Sequence, residues 1–140
     1  MWANYNYTDF PVVYVSMVGS LRNNSEYKDF TQKWLKLYED KKKFKFVFDT
    51  KDCGYVYIKY AFSMVSFIKK LKRRSEQYLE SSVILYHNNW IKHLLQFIFF
   101  CQSPVAPVYL LNGKNTTYET IKNIHKGIIP EEAIVYLPSN

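Results

Sequence analysis

Three residues that could form a nucleophilic site follow two apolar segments of this 140-residue sequence. Asp49 and Cys53 come after the segment 44–48, and His87 comes after the segment 82–86. A cysteine activated by a histidine, with a carboxylate to orient the histidine, is a recognised nucleophilic arrangement. The three side chains would meet if both segments are parallel strands, because the carboxyl ends of such strands share one edge of a sheet. A cysteine-dependent enzyme is nevertheless the third hypothesis, since three such residues at one sheet edge are common by chance.

The candidate metal ligands lack the spacing of a metal site. Cysteine and histidine suit zinc, but the sequence contains no Cys-x-x-Cys and no His-x-x-x-His pair. Asp49 and Asp52 alone are too few carboxylates for a dedicated divalent-cation site. We therefore expect no catalytic residue, no metal and no cofactor. In a chain without a secretion signal, both cysteines should be free thiols.

The polar residues after the segment 44–48 favour a binding loop. Binding surfaces of open α/β sheets lie beyond the carboxyl ends of the strands, so the predicted loop from Asp49 to Gly54 is the first place to look. In the alternative interpretation, Asp49 and Thr50 only hydrogen-bond this loop and cap the chain reversal. The candidate binding residues, from this loop, the start of the next helix and the turn before the third helix, are Asp49, Thr50, Asp52, Gly54, Tyr55, Tyr57, His87, Asn88 and Trp90.

Apolar segments alternate with amphipathic helical patterns, which indicates an α/β fold. The expected structure is a single domain over residues 1–140, a four- or five-stranded, mostly parallel sheet with helices packed on it. Its core spans about 12–127, after an irregular N-terminus, and 128–140 is a C-terminal tail or edge strand. Four helices are expected, two of which begin at capping-box pairs, Asn23 with Glu26 and Thr116 with Glu119. The predicted strands are 12–18, 44–48, 82–86 and 107–111, with 133–137 as the possible edge strand.

The formal charge of +7 raises the question of an anionic partner. Five cations lie within six residues, with no acidic residue between them, at the end of the predicted second helix, where they complement the helix dipole. A solvated helix end is favoured over an anion-binding patch, and a nucleic-acid partner is not expected. The residues of this basic cluster are Lys69, Lys70, Lys72, Arg73 and Arg74.

The third predicted helix is apolar around most of its circumference, from Phe97 to Cys101. Such a helix is covered on both sides, either by the tail 134–137 or by a partner protein or a lipid. The apolar run from Leu94 to Cys101 is much shorter than the roughly 20 residues that a membrane helix needs. With no signal peptide in the first ten residues, a location in the cytoplasm is expected.

The predicted strand 12–18 is followed by Gly19-x-Leu21, a helix, and the strand that ends in Val47-Phe48-Asp49. This ordered series resembles the STAS family, the anti-sigma-factor-antagonist-like (SpoIIAA-like) domains. The resemblance covers about Val12 to Ile124 and implies a protein-binding domain. The family's antagonists carry a phosphorylatable Ser after an Asp at the start of the second helix. Residues 56–59 here are Val-Tyr-Ile-Lys, so the phosphoswitch is absent from this position.

The segment 46–49, the segment 84–91 and Ile129-Pro130-Glu131-Glu132 carry a second, weaker resemblance. They are similar to segments of the CRAL-TRIO lipid-binding domains, which share the overall fold. The sequence therefore predicts a non-catalytic, STAS-like protein-interaction module. The alternative is a small lipid- or anion-binding module, although CRAL-TRIO carriers usually have an additional N-terminal helical region that residues 1–10 cannot supply. The oligomeric state is left open.

Overall fold

The computed structural model describes residues 1–139 and confirms an α/β fold. A mixed sheet of six strands is accompanied by four α-helices, so the sheet has one strand more than the largest number predicted. The strands are β1 (Ala3–Asn6), β2 (Val12–Leu21), β3 (Phe44–Val56), β4 (Leu79–Tyr86), β5 (Val108–Asn112) and β6 (Ile134–Tyr136). The helices are α1 (Asn24–Leu37), α2 (Ile58–Lys72), α3 (Asn89–Cys101) and α4 (Tyr118–His125).

The six strands lie side by side in their sequence order. The middle four, β2 to β5, are parallel, whereas β1 and β6 pair with their neighbours in the antiparallel sense. The tail thus forms an edge strand, as the apolar segment 133–137 indicated. The N-terminus, predicted to be irregular, forms the other edge strand, in which Ala3 and Tyr5 alternate with two asparagines. Two apolar residues are too few to produce a recognisable strand pattern.

The two faces of the sheet are covered unequally. Helices α1, α2 and α3 pack on one face, called here the three-helix face, together with Phe44, Phe46 and Phe48 of β3. Intervening residues such as Val47 point to the opposite face, called here the α4 face, because successive strand residues alternate between faces. The right-handed crossover between two parallel strands fixes the face on which its helix packs. Because β6 runs antiparallel to β5, this constraint does not apply to α4, which packs on the α4 face.

The helix starts depend on local caps. Asn23 accepts a hydrogen bond from the Glu26 backbone N–H at the start of α1, as predicted. The cap of α4 is Thr117 and not Thr116, whose hydroxyl instead donates to the Asn112 carbonyl.

Within residues 1–139, no helix has both the length and the apolar character needed to cross a membrane.

Strand β3 does not end where the polar residues predicted a loop. The segment from Asp49 to Gly54 continues the strand to Val56, although β4 pairs with β3 only as far as Asp49. Beyond that point β3 has β2 as its described neighbour, with Val18 opposite Asp52. Residues 18–21 and 52–56 therefore form a two-stranded projection beyond the carboxyl edge of the sheet, the β2–β3 extension. Continued pairing with β2 keeps this polar sequence extended.

The apolar end of α3 is covered by two different neighbours. The ring of Phe99 lies 5.0 Å from that of Tyr136 in β6, and the ring of Phe97 lies 5.2 Å from that of Phe62 in α2. Phe100 is 80% exposed. The tail therefore covers only part of the run from Phe97 to Cys101, and Cys101 itself is exposed and free.

Candidate functional site

The carboxyl edge of the parallel strands brings Asp49 and His87 together. His87 Nε2 lies 3.1 Å from Asp49 Oδ1, within hydrogen-bond distance. The same carboxylate oxygen accepts from the Lys51 backbone N–H at 2.9 Å, so it is held from two sides. The Asp49 side chain is 42% exposed and that of His87 is 16% exposed. This pair could position a proton acceptor at the sheet edge, but it needs a reacting group beside it to do chemistry.

The turn after β5 leaves room for His87 because residue 113 is a glycine. A Cβ atom added at Gly113 would lie 2.1 Å from His87 Nε2. No real Cβ atom approaches another atom so closely, so any side chain at this position would displace the imidazole. Gly113 therefore determines where the His87 ring can lie.

Cys53 is not beside this pair. Asp49 is in register with Leu85, which packs on the α4 face, whereas Cys53 packs against the core of the three-helix face. The thiol contacts the carbonyl of Gly54 at 3.6 Å. Burial raises the pKa of Cys53, because the charged thiolate loses its water. The structure thus brings together two of the three residues of the nucleophilic hypothesis and places the third on the other face.

An exposed aromatic cluster lies at the end of the β2–β3 extension. The rings of Tyr55 and Trp90 are stacked, with centroids 5.6 Å apart and planes 3° from parallel, and Tyr57 packs edge-on against Tyr55 at 5.5 Å. The indole N–H of Trp90 donates to the Val56 carbonyl at 3.3 Å. These contacts join the extension to the first turn of α3. Tyr55, Tyr57 and Trp90, called here the aromatic edge, remain 49%, 41% and 38% exposed.

The conformation of the extension depends on a close contact at Gly54. Its missing Cβ would lie 2.5 Å from the hydroxyl oxygen of Ser20, which accepts a hydrogen bond from the Tyr55 backbone N–H. A side chain at position 54 would break this contact. Gly54 therefore acts on the aromatic edge through the backbone, since it offers no side chain to a partner.

The remaining candidate residues have structural roles or lie apart. The Thr50 hydroxyl is buried and donates to the Leu85 carbonyl at 2.7 Å. Asn88 caps α3, because its side-chain oxygen accepts from the Ile91 backbone N–H. Asp52 is exposed on the extension. Of the alternative interpretation, in which Asp49 and Thr50 hydrogen-bond a loop and cap the chain reversal, only the contact between Asp49 and the Lys51 backbone is local, because Thr50 bonds to β4 and the strand continues to Val56.

Sequence reasoning missed two exposed apolar residues on α2. Ile58 is 52% exposed, and Phe62, one turn further on, is 56% exposed. Since α2 begins one residue after Tyr57, these side chains extend the apolar surface away from the aromatic edge. The helical spacing of Ile58 and Phe62 was the available signal, but it does not say which side of the helix is covered.

The basic cluster lies at the opposite end of α2. A 15-residue helix is about 22 Å long, so the two ends cannot belong to one small site. Lys72 donates to the Ser103 hydroxyl and to the Ser139 carbonyl, and the Arg74 guanidinium lies 5.1 Å from the centre of the Tyr38 ring. Two of the five cations are thus engaged within the chain. Lys69, Lys70 and Arg73 make no ion pair with the residues described by the structure.

A cavity of about 140 Å³ lies between the sheet and helices α1 to α3. Its wall is almost entirely apolar, and every lining residue is buried or half-buried. Six residues that represent its wall are Trp34, Phe48, Ala61, Ile84, Leu94 and Val108.

Comparison of the chain with protein-family models, curated proteins and solved structures gives no match. Among residues 1–139, no group of three or more histidine, cysteine, aspartate or glutamate side chains is arranged to hold a metal ion.

Proposed function

We propose that this chain is a non-catalytic, STAS-like interaction domain that binds a partner protein through the aromatic edge. The observation that carries the proposal is the exposed stack of Tyr55 on Trp90. Tyrosine and tryptophan are enriched among the residues that dominate protein–protein binding energy, because they bury a large area at little cost in side-chain entropy. Their mutual contacts hold these rings in place before binding, which reduces that cost further.

The order of the strands supports the STAS-like part of the proposal. The resemblance rests on an ordered series of strand and helix units, and β2 to β5 follow one another across the sheet in that order. The residues at the start of α2 favour the absence of a phosphoswitch, because positions 56–59 are Val-Tyr-Ile-Lys and include no serine.

Charge favours a partner with acidic side chains around an apolar contact. On the segments that border the aromatic edge, residues 18–23 and 50–60, the exposed cations are Arg22, Lys51 and Lys59, and the exposed carboxylate is Asp52. Complementary charge at the rim of an interface accelerates association and selects among partners. Raised salt should therefore slow binding, since exposed charges are screened beyond about 10 Å at 0.1 M salt.

A non-catalytic role is supported by the separation of the potential nucleophile from the proton acceptor. The Cys53 thiol, with its raised pKa, and the Asp49–His87 pair lie on opposite faces of the sheet. The lipid- or anion-binding alternative has less support at the basic cluster, since Lys72 and Arg74 already bind other groups of the chain.

Site-specific photo-crosslinking tests the proposal. A photoreactive phenylalanine analogue is placed at Tyr55 and, as a matched control, at Phe100, an exposed aromatic residue near the other end of α3. We expect one protein to be captured from position 55 and not from position 100. Its affinity for the purified chain is then measured by calorimetry.

In the purified pair, Trp90→Ala should weaken binding by about thirtyfold, which corresponds to about 2 kcal/mol for a dominant interface residue. Trp90→Phe keeps an aromatic ring and should lose less affinity, and Phe100→Ala should lose none. Capture from position 100 alone, or equal affinities for wild type and Trp90→Ala, would contradict the proposal.

A further inference from the structure

We propose that the cavity on the three-helix face is a binding site for one small, uncharged, apolar molecule about the size of a single aromatic ring. The proposal is independent of the aromatic edge. It concerns an interior volume, whereas the proposed protein interface is on the surface.

The volume sets the size of the ligand. An engineered cavity of about 150 Å³ lined by aliphatic and aromatic side chains stays dry and binds benzene or xenon. The cavity in this chain measures about 140 Å³ and has a comparable wall. A ring-sized molecule therefore fits without a change in the backbone, whereas a lipid with two acyl chains does not.

The wall sets the chemical class. The ionisable residues that line it are Tyr27, Tyr60 and Cys53. Burial raises the pKa of Tyr27 to about 12 and also raises the pKa of Cys53, so both stay protonated at neutral pH. The Tyr60 hydroxyl donates to the Asn24 side chain. The wall thus offers no charge to a carboxylate or an ammonium group, and burying such a group without a partner is very unfavourable.

The lining residues are buried or half-buried, so a bound molecule lies mostly among side chains of the core. Met17 and Met64 contribute to the wall, and the flexible methionine side chain adapts to ligands of slightly different shape. The structure therefore favours a compact apolar molecule and disfavours the head group and tail of a membrane lipid.

The test is titration of the wild-type chain with benzene, followed by side-chain methyl NMR. Resonances of Ile84, on the cavity wall, should shift and saturate, whereas those of Ile121, a buried residue of α4 on the other face, should not. Benzoate, which has the same ring and a negative charge, should shift neither. Absence of a saturable shift at Ile84, or equal shifts at Ile84 and Ile121, would overturn the proposal.

Filling the cavity provides a second measurement. Ala61 and Ala106 are small, buried residues of the wall. Ala61→Leu and, as a smaller change, Ala106→Val should each weaken benzene binding at least tenfold. If either folded variant binds benzene as tightly as wild type does, the ligand is not in this cavity.

Discussion

The two faces of the sheet differ in what they bury. The three-helix face buries a network of aromatic rings, in which Phe46 lies 4.8 Å from Trp34 and 4.6 Å from Phe48, and it encloses the cavity. The α4 face has a smaller core beneath one eight-residue helix. The titratable groups Lys45 and His125, and the Asp49–His87 pair at the edge, lie on that second side.

This difference separates two properties of the protein. Apolar burial is the main source of stability, so the three-helix face should contribute most of the free energy of unfolding. Tyr27 and Cys53 of the three-helix face stay protonated near neutral pH, so the pH dependence of stability in that range should come from the α4 face. A partner at the aromatic edge and a ligand in the cavity would then act on different parts of the same sheet.

The largest expected effect compares one core residue from each face. Phe46 has no exposed surface and touches aromatic rings on several sides, so Phe46→Ala should destabilise the chain by about 4 kcal/mol. Ile121→Ala should cost about 2 kcal/mol, because the short α4 can move inward to fill part of the space. Urea denaturation followed by circular dichroism measures both values.

Equal losses for these two variants would show that the two faces contribute alike. If Phe46→Ala does not fold, Phe46→Leu, with an expected loss of about 1–2 kcal/mol, replaces it in the comparison with Ile121→Val.

The second prediction concerns the contact between Gly113 and His87. Gly113→Ala should cost about 1–3 kcal/mol, because the new Cβ would overlap the imidazole and separate it from Asp49. In a His87→Ala background that ring is gone, so the same glycine substitution should cost much less. A double-mutant cycle measured by urea denaturation gives the coupling between the two positions. Additive losses would mean that Gly113 matters for its backbone and not for the room it leaves.

The sequence predicted those parts of the structure that depend on local periodicity. Alternating or continuous apolar residues located β2 to β5, and the helical spacing located four helices. The rule that parallel strands end at a common edge predicted that Asp49, Cys53 and His87 would meet, and the structure brings His87 to Asp49 but places Cys53 on the other face. These relations require only the order of the elements and the direction of the strands.

Features that depend on neighbours distant in sequence were not predicted. The polar residues from Asp49 to Gly54 resemble a loop, and only their pairing with β2 keeps them in a strand. The spacing of apolar residues in α2 did not predict that Ile58 is 52% exposed, because the covered side of a helix depends on the elements packed against it. The cavity is a small difference between the volume enclosed by the helices and the volume of the side chains, so no sequence pattern reports it.

The smallest expected effect is a pH dependence of the unfolding free energy that arises from His125 on the α4 face. Burial, and next the charge of Lys45, lower the pKa of His125 below its ordinary value of 6.5. The folded chain therefore prefers the neutral imidazole, whereas the unfolded chain binds a proton near pH 6.5. The resulting stability is complete above that pH and is lost as the pH falls towards the lower folded-state pKa. His125→Gln should flatten the change in unfolding free energy between pH 7.5 and 5.5, whereas His93→Gln, at an exposed position of α3, should leave it intact. An unchanged slope in His125→Gln would show that His125 does not cause the pH dependence. A flattened slope in His93→Gln would show that a residue on the three-helix side contributes to it.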